Sequence, residues 1–328
     1  MKYLILSLPL FFTSNAFTQD CTKELLAQKP GTWKDGLKGQ IVNVTAANVA
    51  KEKAVIAGIH KLIYTHYSPK GCQVLTSQVY GKQLLAGANW VADPYYYSMY
   101  ILRYLCDEQS KDKSKYYTDI STPTTVNITA NAIFSLNSLY AANMPADDFR
   151  SYLKLTKRPE KKEGYYFMGE EIIDNNHPVN KIIEYRWLIT YNDTLPFSYL
   201  SRKDYLLIQK KRLEQSLKDN PGEKDYTNKF LSNIAEYLKK PETELSKPAI
   251  SMWNDEERFE KFVEEGTRSS FIAVKPNLEY FRKKLPLSSP QFFSIVYKIS
   301  TGDPVFEENI SNIKKAVDFA TLRNMLGK

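Results

Sequence analysis

The sequence reads as an α+β protein, with an antiparallel sheet and a packed helix in its amino-terminal half and a helix-rich α/β carboxy-terminal half. Three observations carry this. Within residues 46–66 the apolar side chains Val49, Val55, Ile56, Ile59, Leu62 and Ile63 recur at three- and four-residue spacing, the period of a helix with one buried face. Residues 73–130 then hold runs rich in Tyr, Ile, Val and Thr, which suit a pleated, half-buried surface. Beyond Ser201, two helical segments flank the breaker Asn220-Pro221-Gly222, and short apolar runs alternate with helical ones to the end of the chain.

Taken in order, residues 1–16 have the form of an export signal. Lys2 gives a positive start, residues 3–12 are apolar, and Ser14-Asn15-Ala16 supplies small residues for cleavage. That apolar run is well short of the roughly 20 residues a bilayer requires, so the segment is expected to be removed, leaving no transmembrane segment. A sheet-rich domain is expected over 17–153, a linker or long loop over the basic, Pro159-containing stretch 154–164, and a mixed strand and helix domain over 165–328.

Within these, residues 22–28 suit a helical turn that Pro30-Gly31 breaks. The helix over 46–66, with Lys51, Glu52, Lys53 and Lys61 off its apolar positions, ends at Ser68-Pro69-Lys70-Gly71. Strands follow at 73–80, 95–106 and 124–130, then 165–170 and 182–191. Ser201 caps a helix over 202–218, and 226–239 is its antiparallel neighbour. Short strands at 249–252, 271–274 and 292–299 and helices at 255–265 and 309–325 complete the chain.

The chain has 328 residues, is 43% apolar and 25% charged, and carries a formal charge of +8, a composition that suits a folded core. Acidic residues interrupt the basic clusters, so these are solvated faces and no nucleic-acid partner is expected. No GxGxxG, phosphate loop or GxSxG occurs, and no cofactor is expected. No metal site is expected from the three histidines either, since His60 and His66 point about 120° apart on one helix and His177 is distant.

Of the three cysteines, Cys72 opens one strand and Cys106 closes the next. An antiparallel connection centred near Asn89 sets them opposite each other, which predicts a Cys72–Cys106 disulfide stabilising the fold by about 3–4 kcal/mol. Cys21–Cys72 is the second choice of pairing.

Gly71-Cys72, Trp90-Val91-Ala92-Asp93-Pro94, the run from Trp187 to Asp193 and the ending Phe319-Ala320-Thr321-Leu322-Arg323 together resemble exported proteins of Bacteroidota-type bacteria whose activity is uncharacterised. The resemblance implies location outside the cytoplasm and brings no catalytic residues.

Two readings of function follow. Tyrosine is abundant at 23 residues, and strand alternation over 95–106 puts Tyr100 and Tyr104 on one face and Tyr97 on the other. One of these faces should lie beneath the 46–66 helix, while exposed rings can stack on sugars or anchor a protein. The expectation is a non-enzymatic periplasmic or cell-envelope binding protein that uses Tyr97, Tyr100 and Tyr104 to hold an envelope protein or glycan. The alternative is a carboxylate-dependent hydrolase of envelope polysaccharide or peptidoglycan using Glu170 and Asp174, since glycoside hydrolysis needs two carboxyl groups about 5 to 9 Å apart.

Overall fold

Side-chain hydroxyls and carboxylates start most of the helices, because the first backbone N–H groups of a helix have no partner within it. The computed structural model describes residues 20–39, 41–42, 44–81, 92–132, 152–174, 181–253 and 258–328. The expected signal segment, Asn89, His177 and residues 255–257 lie outside these.

Helix α1 (Lys23–Gln28) is capped by Thr22 and leads into strand β1 (Thr32–Lys38). Helix α2 (Ala46–His66) is capped by Thr45, whose hydroxyl accepts from the Asn48 N–H at 3.2 Å. Strands β2 (Cys72–Val79), β3 (Tyr95–Cys106), β4 (Tyr116–Thr118), β5 (Thr125–Ala130), β6 (Leu153–Leu155), β7 (Glu160–Lys162), β8 (Tyr165–Asp174), β9 (Ile182–Thr190) and β10 (Phe197–Tyr199) follow. Ser201 caps α3 (Arg202–Asp219), and α4 (Lys224–Tyr237) and α5 (Glu242–Leu245) come next. Strands β11 (Ile250–Met252), β12 (Ser270–Pro276) and β13 (Phe292–Ser300) lead to α6 (Pro304–Ala316) and α7 (Phe319–Met325).

Nine strands form one sheet in the order β1-β2-β3-β5-β13-β9-β8-β7, with β4 beside β3. All its neighbours run antiparallel except β1 and β2. A smaller sheet places β6, β10 and β11 against β12.

Helices α2, α6 and α7 bury one face of the large sheet, called here the inner face, through Ile56, Ile59, Ile63, Phe306, Ile310 and Leu322. Part of the opposite, outer face packs on the small sheet, where Leu188 and Phe292 meet Leu155, Ile272 and Val274. The small sheet turns its far side to α3 and α4 through Phe271, Tyr205, Leu206, Phe230 and Ile234. The result is a helix–sheet–sheet–helix stack, an α+β architecture. Among the described residues, no helix is long and apolar enough to cross a membrane.

Several expectations change. Residues 154–164 are not bare linker, since they hold the end of β6 and all of β7, and the large sheet takes strands from both sides of them. Residues 258–264 are not helical. Phe259 and Phe262 instead enter the aromatic cluster around Tyr205 and Tyr237, and the Val263 N–H bonds the Ile250 carbonyl at 3.0 Å. Burying two rings outweighs the helix propensity of acidic neighbours. The helix expected over 309–325 begins earlier, at the Asp303 cap and Pro304, and breaks where Asp318 caps α7.

The disulfide joins Cys21 to Cys106, and Cys72 is a buried free thiol. The sequence had paired Cys72 with Cys106, but in the register of β2 and β3 Cys72 faces Arg103. Cys106 lies three residues further along, an odd number, so its side chain leaves from the outer face while Cys72 lies in the inner core. Burial pushes the Cys72 thiol up to about 12, which leaves it protonated and unreactive.

Peptide mapping of the folded protein should therefore recover Cys21 linked to Cys106, with Cys72 modified by thiol reagents after denaturation and not before. Replacing Cys21 and Cys106 together with Ser, which opens a link between residues 85 apart in sequence, should cost about 2–4 kcal/mol in denaturant titration.

Candidate binding surface

Alternation along β3 sorts its tyrosines between the two faces of the sheet. Tyr97 lies on the inner face and is 0% exposed. Its hydroxyl shares a 2.8 Å hydrogen bond with His60 Nδ1 on α2, and the two rings meet edge to face at 5.7 Å. Burial raises the Tyr97 phenol well above its ordinary value and lowers His60. Trp33 closes this inner cluster, with its ring 5.7 Å from His60, 5.3 Å from Tyr64 and 5.6 Å from Tyr67. Tyr97 is therefore a core residue, and the sequence expectation that it joins a binding surface is corrected: the same rings that could bind a ligand are used to seat α2.

Tyr100 and Tyr104 project from the outer face, about 13 Å apart along the strand. Tyr100 is half-buried, and Tyr104, expected on the binding surface, is buried at 8% exposure beneath its neighbours on that face. The Tyr104 hydroxyl and Thr32 Oγ1 lie 3.2 Å apart, and Gln73 Nε2 donates to the same threonine oxygen at 3.3 Å. The Tyr104 ring meets Tyr116 of β4 edge to face at 5.2 Å. Tyr116 is 42% exposed, and Lys29 Nζ stands 4.8 Å from its centroid. Tyr117 is also exposed, but its partner in the register is Leu105, so it leaves β4 on the other side.

The disulfide sits within this surface. Cys106 pairs with Tyr116 across β3 and β4, and Cys21, which precedes α1 and Lys29, donates its N–H to the Lys113 carbonyl at 2.8 Å. The crosslink thereby fixes the strand that carries Tyr104 to the segment that carries Lys29. Sequence reading found Tyr100 and Tyr104 but passed over Tyr116, Lys29 and Thr32. The aromatic pair Tyr116-Tyr117 after a polar run was the available signal, and only strand pairing brings it to Tyr104.

The carboxylates of the alternative reading do not come together. Glu170 pairs with Tyr185, on the inner face, where its charge acts on Tyr185 and Lys314. Asp174 pairs with Ile182, which alternation places on the outer face, after a bulge at Ile173. Between them, burial raises the Glu171 carboxyl while the nearby Arg186 opposes the rise. Two acids on opposite faces of one strand give no shared acid and base.

The sequence also passed over a buried pair. Glu52, expected on the polar side of α2, falls three residues after Val49 and four before Ile56, on the apolar stripe itself, and is fully buried with Asp93 nearby. Among the described residues, no group of three or more His, Cys, Asp or Glu is arranged to hold a metal ion.

No protein-family model matches the chain, and neither the curated proteins nor the solved structures compared with it give a match.

The two kinds of tyrosine should separate in denaturant unfolding. Tyr97→Ala empties a sealed site and should cost about 3–5 kcal/mol, whereas Tyr116→Ala removes an exposed ring and should cost no more than about 1 kcal/mol. Equal losses would contradict this division.

Proposed function

We propose that the protein is an exported binding protein of the cell envelope that holds a glycan on the outer sheet face at the exposed Tyr116 ring, which the buried Tyr104 supports. The observation that carries this reading is the exposed Tyr116 ring seated on the buried Tyr104, beside the Thr32 hydroxyl and the Gln73 amide, with Lys29 above Tyr116. Sugar rings offer C–H faces that pack on aromatic rings and hydroxyls that exchange hydrogen bonds with such neighbours. Tyrosine has few rotatable bonds, so little side-chain entropy is lost on contact. The disulfide supports a location where thiols oxidise, in keeping with the signal-like residues 1–16.

The test is retention of residues 17–328 on peptidoglycan sacculi and on a panel of insoluble polysaccharides, wild type beside Tyr116→Ala and Tyr104→Phe. Wild type should be retained on at least one, Tyr116→Ala should bind about tenfold or more weakly, and Tyr104→Phe, which keeps its ring, should bind nearly as well. Equal retention of wild type and Tyr116→Ala, or no retention on any glycan, contradicts the proposal.

A further inference from the structure

Glu52 and Asp93 form a sealed acidic pair at one end of the large sheet, away from the tyrosine surface. Glu52 is 0% and Asp93 2% exposed. The Gly81 N–H, just past the end of β2, donates to Glu52 Oε2 at 2.5 Å, while Glu52 Oε1 has no partner. Asp93 lies just before β3. Its N–H donates to the Leu287 carbonyl at 2.7 Å, its carbonyl accepts from Asn131 Nδ2 at 2.9 Å, and its Oδ1 has no partner. The Glu52 carboxyl thus joins α2 to the end of β2, while the backbone of Asp93 ties the start of β3 to Asn131, just past β5.

Among the described residues, the surroundings supply no positive charge. Tyr95, from β3, lies within electrostatic reach of both acids but donates its hydroxyl to the Ser288 carbonyl at 3.0 Å. Lys53, the next residue on α2, is turned over the Tyr80 ring at 4.9 Å. Asn48 accepts from the Ser288 hydroxyl and is neutral. Burial holds both carboxyls above the ordinary carboxylate range, and the charge of Asp93 lifts Glu52 further, to about 7. Two ionised carboxylates sealed from water without a cation are strongly unfavourable, so a proton or a metal ion must offset one charge. Among the described residues no third acid, histidine or cysteine completes a metal cage, whereas a proton needs a single unpartnered oxygen, and both acids offer one.

We propose that Glu52 and Asp93 together retain one proton and that Glu52 acts as an acid-closed latch, which ties α2 to the end of β2 through Gly81 and loosens when the proton leaves. Ionisation of both groups places two negative charges in a dry site, and the relief is local opening at Gly81 to admit water. Gly81 packs against Ile41 and Val49, which with Val44, Ala46, Ala50 and Lys53 line a cavity of about 450 Å³, so loosening there frees one wall of an apolar recess. The sign follows from linkage. A carboxyl whose folded value lies above its unfolded value of 4.5 contributes its full stability below that value and loses it as pH rises through about 7.

The experiment is hydrogen exchange at the Gly81 and Asp93 amides of the whole chain between pH 5 and 8, corrected for intrinsic base catalysis, with Glu52→Gln and Asp93→Asn beside wild type. In wild type, protection at Gly81 should fall about tenfold or more across that range, and it should stay nearly constant in both variants, whose amides keep the shape without the charge. A carboxyl-carbon NMR titration of wild type, which needs no variant to fold, should show one of the two acids titrating near neutral pH. The proposal is overturned if the corrected protection of wild type does not change with pH, if the variants keep the wild-type change, or if both acids titrate below pH 5. It is also overturned if calcium restores protection at pH 8 in wild type alone, which would assign the counter-charge to a metal.

Discussion

The fold depends on the burial and pairing of β13. This strand lies near the carboxy terminus, yet in the sheet it stands between β5 and β9 and pairs antiparallel with both. Its inner-face residues Phe293, Ile295 and Tyr297 stand opposite Ala130, Ile128 and Val126 on one side and Ile189, Trp187 and Tyr185 on the other. Its outer-face Phe292 packs on the small sheet. A sheet strand leaves unpaired N–H and C=O groups if its neighbour is missing, so β5 and β9 are both edges until β13 is in place. The helices that follow, α6 and α7, then cover the inner face across strands from both halves of the chain.

This arrangement links the core to the candidate surface. Because β3 is paired on both sides, by β2 and β5, its side chains have two fixed directions. Tyr97 and Met99 face α2 and are sealed, which leaves Tyr100 and Tyr104 to the outer face. The Cys21–Cys106 link and the Tyr104–Thr32 contact then hold that face against β1, an edge strand whose strand partner is β2 and whose Trp33 packs on the inner side. Rigid rings on a paired strand lose little freedom when a ligand packs on them, which is the physical basis for assigning binding to this face.

Local patterns were legible in the sequence where one element decides its own fate. The α2 stripe, the facing of the β3 side chains and the Ser201 cap were all readable because each depends on period or on a neighbour three residues away. Features that depend on distant pairing were not. Nothing within 292–300 indicates that the strand is central rather than an edge, and a three-residue error in the β2–β3 register was enough to assign the disulfide to Cys72. Glu52 was legible in position but not in consequence: its spacing from Val49 and Ile56 puts it on the buried stripe, while residue type alone argued for solvent. Residues 258–264 mislead for the opposite reason, since their charge suggested a solvated helix and the rings of Phe259 and Phe262 determine where the chain goes.

Native-state hydrogen exchange under increasing denaturant tests the central role of β13 most directly. If β13 joins both halves of the large sheet, the slowest amides of β5, β9 and β13 should open together, converging on one free energy and one denaturant dependence. Loss of protection in β5 while β9 and β13 remain protected would show that the sheet is held together in two separable parts, contrary to this account.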